Sequence, residues 1–183
     1  MLWCATALKT KNNSFSMGYV FVSFRRQDTH DMAWRLVEYL KQQGQNIFYD
    51  MDMFAAGDFR ESIRQAVEAA AVVMVLVGQR WLDDASSDGL RSPGEWVRVE
   101  LELAFASGTP ILPVLVHGSS MPKAECLPET IRDFAFQQAA SVRSDAHFAD
   151  DAKRVCTMLD QLAPRRPSSA WWIRLATRLF RRL

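Results

Sequence analysis

The sequence predicts an α/β protein in which a five-stranded parallel sheet is covered by helices on both faces, three layers in all. Three observations predict it. Apolar runs of strand length alternate with segments patterned for helices. The runs are continuous, as in AVVMVLVG at 71–78, which is the pattern of strands buried on both faces. Glycines and helix-capping residues fall at the junctions between the two kinds of segment. Such alternation implies right-handed crossovers between parallel strands.

Taken in order, YVFVSF (19–24) is the first strand. Asp28 can cap a helix running to about Gln43, with Trp34, Leu36, Val37 and Leu40 inward and Gly44 as its stop. NIFYD (46–50) is the second strand, and DMDMFAAGD (50–58) is a loop. Asp58 and Glu61 have capping-box spacing for a helix to about Ala70. Residues 71–78 are the third strand. Ser92-Pro93-Gly94-Glu95 offers a cap, an N1 proline and an N3 glutamate to the next helix. PILPVLV (110–116) is the fourth strand, although Pro113 lacks the N–H that an interior strand uses. A weaker strand near 136–142 and a helix from about Ala146 to Leu162 complete the pattern. Five strands of this kind suit the flavodoxin-like order 2-1-3-4-5, in which ligands bind beyond the carboxyl ends of strands one and three. Those ends here are Ser23-Phe24-Arg25-Arg26 and Gly78-Gln79-Arg80-Trp81.

The chain has 183 residues, 49% hydrophobic and 23% charged, enough for one domain with a proper core. Cys4, Cys126 and Cys156 are scattered and odd in number, which argues for a reducing compartment and against a disulfide framework. His30, His117 and His147 lie far apart, so no metal is expected. Residues 1–17 have their apolar part before their lysines, the wrong order for a signal peptide, and are expected to be a disordered extension. No segment reaches 18 apolar residues, so no membrane span is expected. The net charge of +1 is uneven: residues 165–183 carry six arginines and no acid. The remainder has 16 basic residues against 21 acidic, a net of −5, which does not suit a nucleic-acid-binding face. The expected organisation is a domain over 18–163, a linker at 164–169 and a basic amphipathic helix at 170–183. The expected location is the cytoplasm, with a peripheral position at the inner membrane as the variant that the tail suggests.

No GxGxxG or P-loop follows the first strand, and no GxSxG appears, so a Rossmann dehydrogenase, a P-loop NTPase and a serine hydrolase are not indicated. The segment EWVRVELELAF (95–105) carries three glutamates on one helix. At about 100° per residue, Glu100 stacks between Trp96 and Ala104, while Glu102 points about 200° away. Two readings of Glu100 stand at this point: a solvated helix face bordering the core, or a catalytic acid.

FVSFRRQD after the first strand, a loop ending AGDFRESI, GQRWLD after the third strand, then EWVRVELELA and PILPVLV, together resemble a bacterial Toll/interleukin-1 receptor (TIR) domain over roughly 19–163. Many bacterial and plant TIR domains, and the animal axon-degeneration enzyme, cleave NAD at the nicotinamide–ribose bond. The resemblance implies a NAD+ glycohydrolase or cyclase in bacterial immune (anti-phage) signalling, with NAD+ as substrate and no cofactor. The family's catalytic glutamate lies in a W-x-x-x-E arrangement, which Trp96 to Glu100 match. The family's loop after strand two, which mediates assembly, matches 50–58, with Phe54-Ala55-Ala56 where many bacterial members have a proline-rich tip. That loop implies self-association, or binding to another TIR or sensor protein.

The implied chemistry needs only one carboxylate. Nicotinamide leaves neutral from a pyridinium, so no general acid is required, and what must be stabilised is the oxocarbenium ion on the ribose. Glu100 is the implied catalytic residue. Trp96 stacks on a ring or packs in the core. Arg25 and Arg26 meet the pyrophosphate or form surface ion pairs with Asp28 or Asp52. Phe54 anchors a partner or the substrate, or folds back onto the domain. Trp34 and Trp81 read as core, and Asp50 and Asp52 as loop and cap residues. A non-enzymatic TIR–TIR scaffold is the alternative, and a nucleoside deoxyribosyltransferase-like enzyme fits less well.

The tail AWWIRLATRLFRRL (170–183) gathers Trp172, Leu175, Ala176, Leu179, Phe180 and Leu183 on one helical face and Arg174, Arg178 and Arg181 on the other. It can dock on the domain, lie on an anionic membrane surface, or bind a partner or second copy. The membrane uses both faces at once, through apolar burial and attraction of about 1 kcal/mol per basic residue. Full-length protein is expected to co-float with anionic liposomes at low salt and a 1–164 truncation is not; if both stay at the bottom, the tail has another use.

Overall fold

The computed structural model describes residues 18–49, 59–82 and 95–163. The expected extension 1–17, the loop 50–58 with Phe54 and the Asp58 cap, the helix start Ser92-Pro93-Gly94, the linker 164–169 and the tail 170–183 lie outside the described residues. The elements run β1 (Val20–Ser23), α1 (Arg26–Gln42), β2 (Ile47–Tyr49), α2 (Phe59–Ala69), β3 (Val72–Val77), α3 (Trp96–Ser107), β4 (Ile111–Val116), β5 (Ala140–Val142) and α4 (Phe148–Leu162). All strand pairs are parallel, and the order is β2-β1-β3-β4-β5. The five-stranded parallel sheet expected from the sequence is therefore the observed one.

Each strand is too apolar to leave a face in water, and the sheet accordingly has two cores. On one face α1 and α4 bury Leu36, Leu40, Val155 and Leu159 against Val20, Val22, Met74 and Leu76. On the other, α2 and α3 bury Ile63, Val67, Val97 and Leu101 against Phe21, Val73, Val75 and Val77. Among the described residues no helix is long and apolar enough to cross a membrane.

Several local expectations change. Helix α1 starts at Arg26, with Arg25 in extended conformation as its N-cap, and bends at Thr29 (φ −133°). Asp28 is not the cap: the Arg25 carbonyl already accepts from the Asp28 and Thr29 amides, at 3.0 and 2.9 Å. Trp34, expected inside, is 51% exposed, because Met32 and Ala33 take the inward positions of that turn. It borders a surface pocket with Phe24, His30 and Tyr49. Glu61, expected to reach back towards a cap, instead accepts hydrogen bonds from Arg64 and Gln65. Helix α3 starts at Trp96 with Glu95 as its N-cap, one turn later than a cap at Ser92 requires. Gly44 ends α1 at φ +86°, a conformation glycine adopts without strain. Pro113 is accommodated because β5 pairs with β4 only over Val114–Val116, leaving β4 a partner on one side at the proline. The segment before β5 is largely a 3-10 helix, Glu129–Phe136, which brings Ile131 and Phe134 into the α3-side core.

Beyond β5, the Asp151 carboxylate of α4 is buried and bonded to the Arg143 guanidinium at 2.7 and 2.9 Å, to the Arg143 amide at 3.1 Å and to Arg154. The Arg143 hydrogen bonds hold its carboxyl well below the usual carboxylate range, against the opposing effect of burial. A depressed folded pKa stabilises the fold above the unfolded value of about 3.9 and loses that contribution as pH falls below it. Both guanidinium groups are more than half exposed, so solvent weakens the pairing. Asp151→Asn is expected to cost about 1–2 kcal/mol in urea denaturation at pH 7. The difference from wild type should shrink on acidification below pH about 4; a difference that is constant with pH would assign the loss to packing.

Candidate active site

Parallel pairing places the carboxyl ends of β1 and β3 side by side, with Ser23 opposite Val75. Side chains alternate along β1: Val20 and Val22 face α1 and α4, and Phe21 faces α2 and α3. Ser23 continues the α3-facing row, and so does Arg25, which is still extended. Helix α3 begins at this same edge. Its buried face consists of Val97, Glu100, Leu101 and Ala104. The Arg25 guanidinium lies 3.3 Å from the Glu95 carboxylate, with the Arg25 side chain 12% exposed, so the end of β1 is tied to the start of α3.

Glu100 is 3% exposed in a helix face that is otherwise apolar. It lies about 6 Å along the helix axis from Trp96 at a rise of 1.5 Å per residue. A carboxylate shielded from water interacts far more strongly with a nearby positive charge than one in solvent. Trp96 is 38% exposed at the mouth of the same helix, so it is not a core residue. Arg26 is exposed on the first turn of α1, one position round from the Arg25 row. The ion pair seen for Arg25 is with Glu95, not with Asp28, and Asp52 lies outside the described residues. The structure thus places Arg25 against the start of the helix that carries Trp96 and Glu100, whereas Phe54 lies outside the described residues.

Glu102 points elsewhere. Its carboxylate accepts from Arg98 at 2.7 Å and from the Thr130 hydroxyl at 2.5 Å, fastening α3 to the 3-10 segment. Burial raises its pKa, but the Thr130 and Arg98 hydrogen bonds outweigh this and hold it below the usual range. Trp81 is 1% exposed and stacks on Phe134, with ring centroids 5.1 Å apart, as a core residue.

Sequence reasoning missed three residues. Glu95 reads as the third position of a capping box rather than as the partner of Arg25. Asp28 reads as a cap; instead its Oδ1 accepts from the Arg80 amide at 3.1 Å, joining α1 to the segment after β3. Ser23 is 1% exposed, and its hydroxyl has no hydrogen-bond partner among the described residues. The signal for Ser23 is visible in FVSF, where one hydroxyl interrupts an apolar strand. Leaving such a group unsatisfied typically costs about 1–3 kcal/mol.

The fold and the edge together define a doubly wound α/β domain with its candidate site at the β1/β3 switch point, built round one buried carboxylate. The chain belongs to the TIR domain family, whose model matches residues 20–156. It is 31% identical over 120 residues to the NAD(+) hydrolase sarm1 of Drosophila melanogaster, a match covering 63% of this chain and 8% of that one. It is 29% identical over 114 residues to the NAD(+) hydrolase tir-1 of Caenorhabditis elegans, covering 62% of this chain and 11% of that one. The chain therefore spans about a tenth of the length of these relatives. Among solved structures, the TIR domains of the activated Roq1 resistosome, which directly recognises the pathogen effector XopQ, superpose with a TM-score of 0.59. They share 13% identity, over 78% of this chain and 99% of that one. A metazoan TIR-STING receptor from C. gigas, in complex with 2′,3′-cGAMP, superposes with a TM-score of 0.50 at 16% identity, over 79% of this chain and 40% of that one. These two likenesses concern the fold.

The edge itself leaves no room at Gly78. A Cβ there would collide with the Asp28 carboxylate and the Thr29 methyl group. Gly78→Ala is expected to cost about 1–3 kcal/mol by overpacking, read from the urea midpoint. An unchanged midpoint would show that α1 and the end of β3 do not approach each other this closely.

Proposed function

We propose that this chain is a NAD+ nucleosidase, a TIR-domain hydrolase or cyclase that cleaves the nicotinamide–ribose bond, acting in immune signalling of the bacterial anti-phage kind. The observation that carries this reading is Glu100: a carboxylate buried in an apolar helix face, at the edge where doubly wound sheets bind ligands. The relatives named NAD(+) hydrolases support it. In this reading NAD+ is substrate and no cofactor takes part. As the C1′–N bond breaks, its electron pair leaves with nicotinamide and positive charge develops on the ribose. The Glu100 carboxylate stabilises that charge without reorganising, because it is already held out of water. Water then adds to C1′ and loses a proton in the hydrolase; a nucleophile within the same ADP-ribose adds to C1′ in the cyclase, losing a proton where it carries one.

The remaining residues act on binding. Arg25 turns from Glu95 to the pyrophosphate, with Arg26 beside it. Trp96, exposed at the mouth, offers a ring face for stacking. The loop 50–58, with Phe54 as its apolar anchor, brings a second TIR domain or a sensor protein to the site, and assembly raises activity.

Glu100→Gln preserves shape and removes the charge, and it is expected to lower NAD+ cleavage on the order of 10²–10³-fold. Glu102→Gln should leave cleavage nearly unchanged. Chromatography of the products of purified protein reads both, and distinguishes hydrolysis from cyclisation. Run over a series of protein concentrations, the same assay should show specific activity rising with concentration and Phe54→Ala blunting the rise. Equal activity of wild type and Glu100→Gln would sink the enzymatic reading, and absence of cleavage at every concentration would favour a scaffold.

A further inference from the structure

We propose that the Ser23 hydroxyl is a substrate contact of the Glu100 site and hydrogen-bonds a sugar hydroxyl of the bound dinucleotide. The inference deepens the reading of this edge as a NAD+ site and rests on it.

The first ground is the state of the hydroxyl. Ser23 is 1% exposed, and no described residue accepts from it or donates to it. Its strand neighbours Phe21 and Val22 and its partner across the ladder, Val75, have no side-chain group to offer. An alanine would fill the same space without a polar atom, so packing does not account for a serine here.

The second ground is direction. The alternation that sends Val20 and Val22 to the α1 side and Phe21 to the α3 side sends Ser23 to the α3 side as well. There it lies on the sheet face that α2 and the Glu100-bearing α3 cover, in the same row as Arg25, whose guanidinium meets the start of α3 at Glu95. Ser23 is thus the polar group at the end of β1 that faces the candidate site from the sheet, while Glu100 faces it from the helix.

The third ground is chemical fit. An ionised carboxylate only accepts, and a guanidinium only donates. A ribose presents two adjacent hydroxyls, each able to donate and to accept. Glu100 accepts a hydrogen bond from one of them. A serine hydroxyl donates or accepts as the other requires, which neither a carboxylate nor a guanidinium can do, and so adds a second point of hold on the diol.

The test measures binding of NAD+ to the full-length chain carrying Glu100→Gln, which prevents turnover, with and without Ser23→Ala. It also uses NAD+ analogues that lack the 2′- or the 3′-hydroxyl of the nicotinamide ribose. Ser23→Ala is expected to weaken NAD+ binding about 5–10-fold, the scale of one hydrogen bond. One deoxy analogue should bind the Glu100→Gln protein weaker than NAD+ by a similar factor, yet bind the doubly substituted protein no weaker than NAD+ does. The melting temperature of Ser23→Ala should be unchanged or raised, since an unsatisfied hydroxyl has been removed. Equal affinity for NAD+ with and without Ser23→Ala overturns the proposal while leaving the site reading intact. So does a weakening that is the same for NAD+ and both analogues and comes with a lower melting temperature, which is the signature of a structural role. Folded Glu100→Gln protein that binds no NAD+ overturns the site reading, and the Ser23 contact with it.

Discussion

Everything at the candidate site depends on one constraint, the parallel pairing of β1 with β3. Because Ser23 lies opposite Val75, the two strands end together, and the chain leaving each must turn over the same edge. Helix α1 leaves from β1 towards one face, and α3 returns after β3 on the other. The candidate site lies at this edge, where the first turns of both helices begin. Two polar links keep it from opening. The Asp28 carboxylate holds the Arg80 amide, and Arg25 meets Glu95. The first brings α1 so close to Gly78 that no side chain fits there. The second sets where α3 starts, and therefore how far below the edge Glu100 lies.

That placement has a cost. A carboxylate at 3% exposure gives up most of its hydration. Asp151, the other acid buried this deeply among the described residues, is surrounded by two arginines and a backbone amide. Those partners pull the Asp151 pKa down and fasten β5 to α4. Glu100 occupies a different setting, on an apolar face beside an exposed tryptophan and at a ligand-binding edge.

The fold was legible because it rests on long-range consequences of a short-range pattern. Continuous apolar runs such as 72–77 have one stable home, a strand covered on both faces, and strands alternating with helices pair in parallel. Details that depend on which neighbour arrives were not legible. Trp34 lies at the border of the apolar stripe of α1, and the helical wheel gives its angle without saying whether an element covers it; none of the described ones does. Asp28 has the chemistry of a cap, but the Arg25 carbonyl and a turn around Thr29 start the helix without it. Glu95 has the spacing of a capping-box acid, yet an arginine 70 positions earlier in the sequence claims it. Pro113 looked like an objection to β4, and only the late start of β5 removes it.

Of the site residues, Glu100 was singled out through its spacing from Trp96 and the family resemblance, whereas periodicity alone left it open. Ser23 shows the converse. Strand pattern alone makes it an anomaly, a hydroxyl within an apolar run, and the fold then places the anomaly on the sheet face that α2 and α3 cover. Sequences that specify one structure are consistent at every level, and the places where a local rule fails are where function is expected. Here two such failures, a carboxylate in an apolar helix face and a hydroxyl in an apolar strand, come from segments 77 residues apart and lie on the same face of the sheet. Packing offers no reason for the polar interruptions in β1 and α3 to fall on the same side of the sheet and at the same end. A shared ligand, as proposed for this edge, would supply one.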